Sequence, residues 1–190
     1  MTTAQETYSM LENKSLWATA ARCHEVLAAE GIPHAVVGGI AVCLHGYQRN
    51  TVDVDILAQR EQQDAIHACL KAAGFMWQAE NHEYRDETGI AVHFVIAGEP
   101  AGRDSEVRLP NPSDSDVVQI MEGLPALTLA RLIESKIACG EGNLRRAHKD
   151  FADVVELIAV HGLDGRFASQ LHKSVRRTFR RLVRHACGES

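Results

Sequence analysis

The sequence predicts an α/β fold of the α+β kind: a mixed β-sheet with flanking helices, followed by a C-terminal helical segment. Three observations predict it. Strand-like and helix-like runs interleave from Ser15 to Met121. From Pro125 to the end the pattern is helical only. One strand-like run also ends in Gly38-Gly39 and passes directly into a helical run, the connection of an α/β unit.

The elements follow in order. Ser15 to Glu30 has helical spacing, with Leu16, Thr19, Ala20, Cys23, Val26 and Leu27 on one side and Gly31 as its stop. His34 to Val37 is a short strand, Ile40 to His45 a short helix ending at Gly46, and Val52 to Leu57 a strand. A helix is expected over Glu61–Ala73, and strands over Phe75–Gln78, Glu83–Arg85 and Ile90–Ile96. Asp86-Glu87-Thr88-Gly89 is the turn between the last two. Ala97 to Asp116 is rich in Gly, Pro, Asp and Ser and reads as a loop, with one short edge strand near Glu106–Leu109. A strand is expected at Val117–Met121. Pro125 suits a first helical turn, and helices are expected over Ala126–Cys139, Arg146–Val160 and Arg166–His185. The domain reading is an α/β part over 1–122 and a helical segment over 123–190, packed on it.

A chain of 190 residues with 45% hydrophobic and 24% charged residues can bury an ordinary core. It has no apolar run long enough to span a membrane, and its polar opening, Met1 to Asn13, lacks the regions of a signal peptide. Neither membrane association nor export is expected, and the location expected is cytoplasmic. The five cysteines are scattered, with no C-x-x-C pair, which argues against disulfides and structural zinc. The net charge of −5 is unevenly distributed: Arg166 to Ala186 carries seven Lys or Arg and no acid. That segment reads either as an anion-binding patch, as a surface for a partner protein or a second copy, or as an amphipathic helix docked on an acidic body.

Residues two apart on a strand point to the same face, so Asp53 and Asp55 project together, roughly 7 Å apart at the backbone. Val54 and Ile56, with Val52, are expected to fill the opposite face. Two adjacent carboxylates repel unless a cation lies between them, and oxygen ligands suit Mg²⁺. Alone, D-x-D also fits a solvated strand edge. Gly38-Gly39, between a strand and a helix N-terminus, lets backbone N–H groups approach a phosphate closely, although paired glycines also mark ordinary tight turns.

Taken together, Val36-Val37-Gly38-Gly39-Ile40-Ala41, then Leu44-His45-Gly46, then Arg49-x-Thr51-x-Asp53-x-Asp55-Ile56 resembles the signature of the polymerase-β-like nucleotidyltransferase superfamily. The branch it is most similar to holds small bacterial and archaeal members of minimal and abortive-infection type. Leu124-Pro125-Ala126-Leu127, Lys136-Ile137-Ala138-Cys139-Gly140 and Lys149-Asp150-x-x-Asp153-Val154 look like the helical segment of that branch. The resemblance implies that Gly38 and Gly39 bind the triphosphate of an NTP such as ATP and that Asp53 and Asp55 hold Mg²⁺. It implies that Arg49 and Thr51 shape the site and that Lys136 or Lys149 reaches substrate phosphate.

The resemblance also implies a third carboxylate on a neighbouring strand, in an apolar–Asp–apolar context. Here that strand reads Ile90-Ala91-Val92-His93-Phe94-Val95-Ile96, with His93 in the position of the acid. Imidazole is a poor Mg²⁺ ligand but suits Mn²⁺ and other transition metals, and a neutral histidine can act as a general base. Catalytic residues are therefore expected at Asp53, Asp55 and His93, with Mg²⁺ or Mn²⁺ as cofactor. Glu83, Asp86 and Glu87 on the same hairpin offer a substitute carboxylate, although all three read more simply as solvated turn residues. Arg146, Lys149, Asp150 and Asp153 read as an exposed helix face laced with ion pairs. The expected function is transfer of NMP from an NTP to a hydroxyl of RNA, protein or a small molecule such as an aminoglycoside. The alternatives are a degenerate nucleotide- or partner-binding protein and the toxin-like half of a toxin–antitoxin or defence pair.

Overall fold

The computed structural model describes residues 3–10 and 14–188. Seven strands form one mixed sheet: β1 (His34–Val36), β2 (Asp53–Ala58), β3 (Met76–Gln78), β4 (Glu83–Arg85), β5 (Ala91–Ile96), β6 (Val118–Met121) and β7 (Leu124–Leu127). Their spatial order is β3-β4-β5-β2-β1-β7-β6. The pairs β2–β5 and β1–β7 are parallel; the other four are antiparallel.

Strand alternation divides the core in two. Val54, Ile56, Val92 and Phe94 face one side, where α2 (Lys14–Ala29) and α4 (Gln63–Ala72) bury Leu16, Cys23, Leu27, Ile66 and Leu70. Leu57 and Val95 face the other side, against α5 (Leu129–Gly142), α6 (Leu144–His161) and α7 (Arg176–Ala186), which contribute Ile133, Ile137, Val154, Leu157 and Phe179. The short helix α3 (Gly38–Leu44) caps one end of the sheet and contributes to both clusters through Ile40 and Val42. No helix among the described residues is long and apolar enough to cross a membrane.

Several elements differ from expectation. Leu124–Leu127 is a strand, not the start of a helix: Pro125 lies opposite Ile120 across a hairpin whose turn, Glu122-Gly123, has φ of +49° and +83°. Four residues show no alternation to read, and burial of all four inside the sheet outweighs the preference of proline for a helical first turn. The boundary drawn between residues 122 and 123 falls in that turn. The last helix is broken: 3-10 turns cover Gly165–Gln170 and Lys173–Val175, and α7 starts only at Arg176. His172 is extended, and its ring accepts from the Ser174 N–H, which interrupts the helical run. Around Glu106–Leu109 only a bridge between Pro100 and Arg108 forms. Val52 is 72% exposed and does not join the core face of β2. The polar opening contains α1 (Ala4–Met10), with Ala4 and Tyr8 buried, and its residues 1–2 and 11–13 lie outside the described residues.

Candidate active site

β2 lies between β1 and β5; β5 pairs with both Asp53 and Asp55, and the Asp55 carbonyl also accepts from the Val37 N–H at 2.9 Å. The parallel register sets Asp55 beside His93 and Asp53 beside Ala91. The three side chains point to the same face and bring one ligand atom each to within 4.8 Å of one another. His93 Nδ1 lies 3.6 Å from Asp55 Oδ1 and 3.9 Å from Asp53 Oδ2.

The glycine turn is packed against the same carboxylates. Gly38 has φ +61°, and a Cβ there would fall 2.0 Å from Asp55 Oδ2. A Cβ on Gly39 would fall 2.6 Å from Thr51 Cβ. The Thr51 hydroxyl donates to Asp53 Oδ1 at 2.8 Å. Gly38, Gly39, Thr51, Asp53, Asp55 and His93 thus form one contiguous cluster.

Glu83 belongs to it as well, contrary to its reading as a solvated turn residue. β4 pairs antiparallel with β5, with Tyr84 opposite Val92 and Arg85 opposite Ala91, and the same register puts Glu83 opposite His93. Glu83 is only 5% exposed; its Oε2 lies 3.0 Å from His93 Nε2, and Arg85 Nε donates to its Oε1 at 2.7 Å. His93 therefore has one ring nitrogen toward the aspartates and the other on a buried carboxylate. Contact with Asp55 pushes its pKa up to about 9; partial burial opposes this, and Glu83 and Asp53 add to it. Burial of Glu83 opposes its charge, but the hydrogen bonds from His93 and Arg85 hold it below the usual carboxylate range. Asp86 is also buried, and takes hydrogen bonds from Thr19, Thr88 and the Ile90 N–H. Its role is in the hairpin, away from the cluster.

Arg49 and Lys136 are drawn into a second charged group. Arg49 grips Asp153 through two nitrogens, at 2.7 and 3.2 Å. Lys136 Nζ is 2.6 Å from Asp153 Oδ2 and 3.2 Å from Asp150 Oδ1, and all three of Lys136, Asp150 and Asp153 are buried. Arg146 Nε completes the group, 3.5 Å from Asp150 Oδ2. Asp150 and Asp153 are thus interior residues, not part of an exposed face. Asp150 and Asp153 lie three apart on the stripe of α6 that turns toward α5, and Lys136 lies on the facing stripe of α5. Ion-pair spacing within one helix does not reveal such a cross-helix partner. Lys149 is exposed on α6.

The sequence model for the aminoglycoside-2''-adenylyltransferase family matches residues 21–116. No curated protein matches the chain significantly by sequence. Among solved structures, ANT(2'')-Ia in complex with adenylyl-2''-tobramycin aligns with a TM-score of 0.52 at 11% identity, over 88% of this chain and 96% of that one. JHP933 from Helicobacter pylori aligns with a TM-score of 0.53 at 18% identity, over 94% and 79%. A putative nucleotidyltransferase from Thermotoga maritima aligns with a TM-score of 0.50 at 16% identity, over 70% and 88%. At these identities the likeness is one of fold, and the fold is that of polymerase-β-like nucleotidyltransferases.

Proposed function

The chain belongs to the aminoglycoside-2''-adenylyltransferase family, and from that premise we propose that it transfers NMP from an NTP to an acceptor hydroxyl, with Asp53, Asp55 and His93 as its metal-binding centre. The observation that supports this reading is the convergence of three ligand atoms within 4.8 Å beside a glycine turn. Two carboxylates and an imidazole make a donor set that fits a divalent cation and favours Mn²⁺ over Mg²⁺. A bound cation supplies positive charge to the phosphoryl group as negative charge builds on it.

Transfer forms a bond from the acceptor oxygen to the α-phosphorus and breaks the bond to pyrophosphate. The task of the protein is chiefly to position the two and neutralise charge. Asp53 is held by the Thr51 hydroxyl and Asp55 by its fit against Gly38. Glu83 fixes the His93 ring so that Nδ1 faces the aspartates, as carboxylates commonly do behind a metal-bound imidazole. Gly38 and Gly39 leave room for the Asp55 and Thr51 side chains to pack against the turn, and their proposed contact with phosphate is through backbone N–H groups. The proposed role of Arg49 is to brace the chain before Thr51 through Asp153, with Lys136 as the buried counter-charge. Neither cation is placed to leave its carboxylates for substrate without exposing buried charge.

Labelled-ATP transfer tests the reading, with Mg²⁺ and Mn²⁺ in parallel and tobramycin and RNA among the acceptors. Activity should be higher with Mn²⁺, and His93→Asp should reverse that order. Equal rates in both metals, unchanged by the substitution, would remove His93 from the site. A degenerate, nucleotide-binding reading also has an observation behind it, because a protonated His93 places its own positive charge where a metal would lie. Nucleotide binding without transfer in either metal would favour it.

A further inference from the structure

The loop after β5 and the turn between α5 and α6 enclose a cavity of about 660 Å³, lined by Gly102, Arg103, Cys139, Asn143, Arg145 and Arg146 among others. Three arginines line it, Arg146 being paired with Asp150 behind it, and no Asp or Glu is among the lining residues. The walls are fixed by backbone contact. A Cβ on Gly102 would fall 2.0 Å from the Ala138 carbonyl oxygen, and one on Gly142 would fall 2.3 Å from the Arg103 nitrogen. Arg103 is therefore seated against the end of α5, on a backbone with little room to shift.

Arg146 ties this cavity to the chain that leads into β2: its Nε lies 3.5 Å from Asp150, Lys136 bridges Asp150 and Asp153, and Asp153 holds Arg49, two residues before Thr51. The basic C-terminal segment is fastened to the same corner: the Thr178 hydroxyl donates to Glu141, and Lys173 Nζ lies 3.8 Å from Glu106.

Arginine forks match phosphate oxygens in geometry as well as charge. A polycationic aminoglycoside would meet the like charges of Arg103 and Arg145 here and no lining carboxylate to pair its amines. We propose that this cavity is the acceptor site and that the acceptor is a phosphate-bearing sugar that offers its hydroxyl toward Asp53 and Asp55. The proposal rests on the nucleotidyl-transfer reading above and names its acceptor class.

The test uses the full chain with Mn²⁺. Binding of a short fluorescein-labelled oligoribonucleotide is followed by anisotropy, with ribose 5-phosphate and tobramycin as competitors, and binding of a fluorescent ATP analogue is measured alongside. In the double variant Arg103→Ala/Arg145→Ala, oligonucleotide binding should weaken by about tenfold or more, while ATP-analogue binding stays unchanged. Added salt should weaken the wild-type complex. Displacement by ribose 5-phosphate identifies a small phosphorylated acceptor; its failure to displace identifies a polynucleotide.

Three results overturn the proposal. The first is oligonucleotide affinity that is the same in wild type and double variant. The second is displacement of the label by tobramycin where ribose 5-phosphate and the unlabelled oligonucleotide leave it bound. The third is a fall in ATP-analogue binding in the double variant, which makes the cavity the nucleotide's own phosphate site and leaves nucleotidyl transfer intact. A wild-type chain that binds no ATP analogue removes the transfer reading and the acceptor with it.

Discussion

His93 faces two aspartates through one ring nitrogen and a buried glutamate through the other. That arrangement gives Glu83 an effect it would lack as a surface residue. Glu83→Gln keeps the volume but weakens the hold on the ring, and Mn²⁺ affinity should fall about 10- to 100-fold in a titration of the folded protein. An unchanged affinity would return Glu83 to a purely structural role. Gly38 has a sharper constraint, since any Cβ overlaps Asp55 Oδ2. Gly38→Ala should abolish transfer while Gly31→Ala, which also has φ near +65° but open space around it, should leave transfer intact. That Asp53 and Asp55 share a face was legible from strand alternation, and the family resemblance set His93 beside them. Glu83 was legible only as one of three acids on the hairpin that could substitute, because its burial depends on the register of β4 against β5, which a four-residue turn does not announce.

At the scale of elements, the β4–β5 turn is tied to α2 by the Thr19 hydroxyl, which donates to Asp86. Burial raises the Asp86 pKa, but its hydrogen bonds from Thr19, Thr88 and Ile90 outweigh this and hold it below the usual carboxylate range. A carboxylate with a depressed folded-state pKa stabilises above its unfolded value and loses that contribution as pH falls through the folded one. Thr19→Val should therefore cost about 1.5–3 kcal/mol at neutral pH. The gap between the two proteins should narrow as the pH falls below the usual carboxylate range, as followed by urea unfolding across pH. A gap that is constant with pH would mean that packing, not the charged hydrogen bond, is lost. The β6–β7 hairpin makes a second case. Gly123, at φ +83°, and Glu122, whose carboxylate also accepts from the Ala4 and Gln5 N–H groups, tie the turn to α1. Gly123→Ala should lower stability by about 1 kcal/mol or more. The strand itself escaped the sequence because Leu-Pro-Ala-Leu is buried on both faces and so has no alternation to read.

Across the whole molecule, the sheet and the helical half are joined by charge as well as by apolar packing. Arg49 before β2, Lys136 on α5 and Asp150 and Asp153 on α6 form one buried group. Asp153→Ala strands Arg49 and leaves Lys136 with one partner. It should destabilise the fold by about 3–5 kcal/mol, whereas adding Lys136→Met should recover part of the loss; denaturant midpoints of the single and double variants decide this. The class of fold was legible because interleaved strand and helix runs leave few ways to bury their apolar faces. The joint was not, because its partners lie more than a hundred residues apart in the case of Arg49 and Asp153.

Asp53, Asp55 and His93 are proposed to bind one cation beside the nucleotide, and electron spin-echo spectroscopy of Mn²⁺ bound with ATP tests this directly. A nitrogen coupling from His93 is expected that disappears in His93→Asp, with loss of bound Mn²⁺ in Asp53→Asn/Asp55→Asn. A Mn²⁺ signal without nitrogen coupling, and unaffected by removal of the two carboxylates, would contradict it.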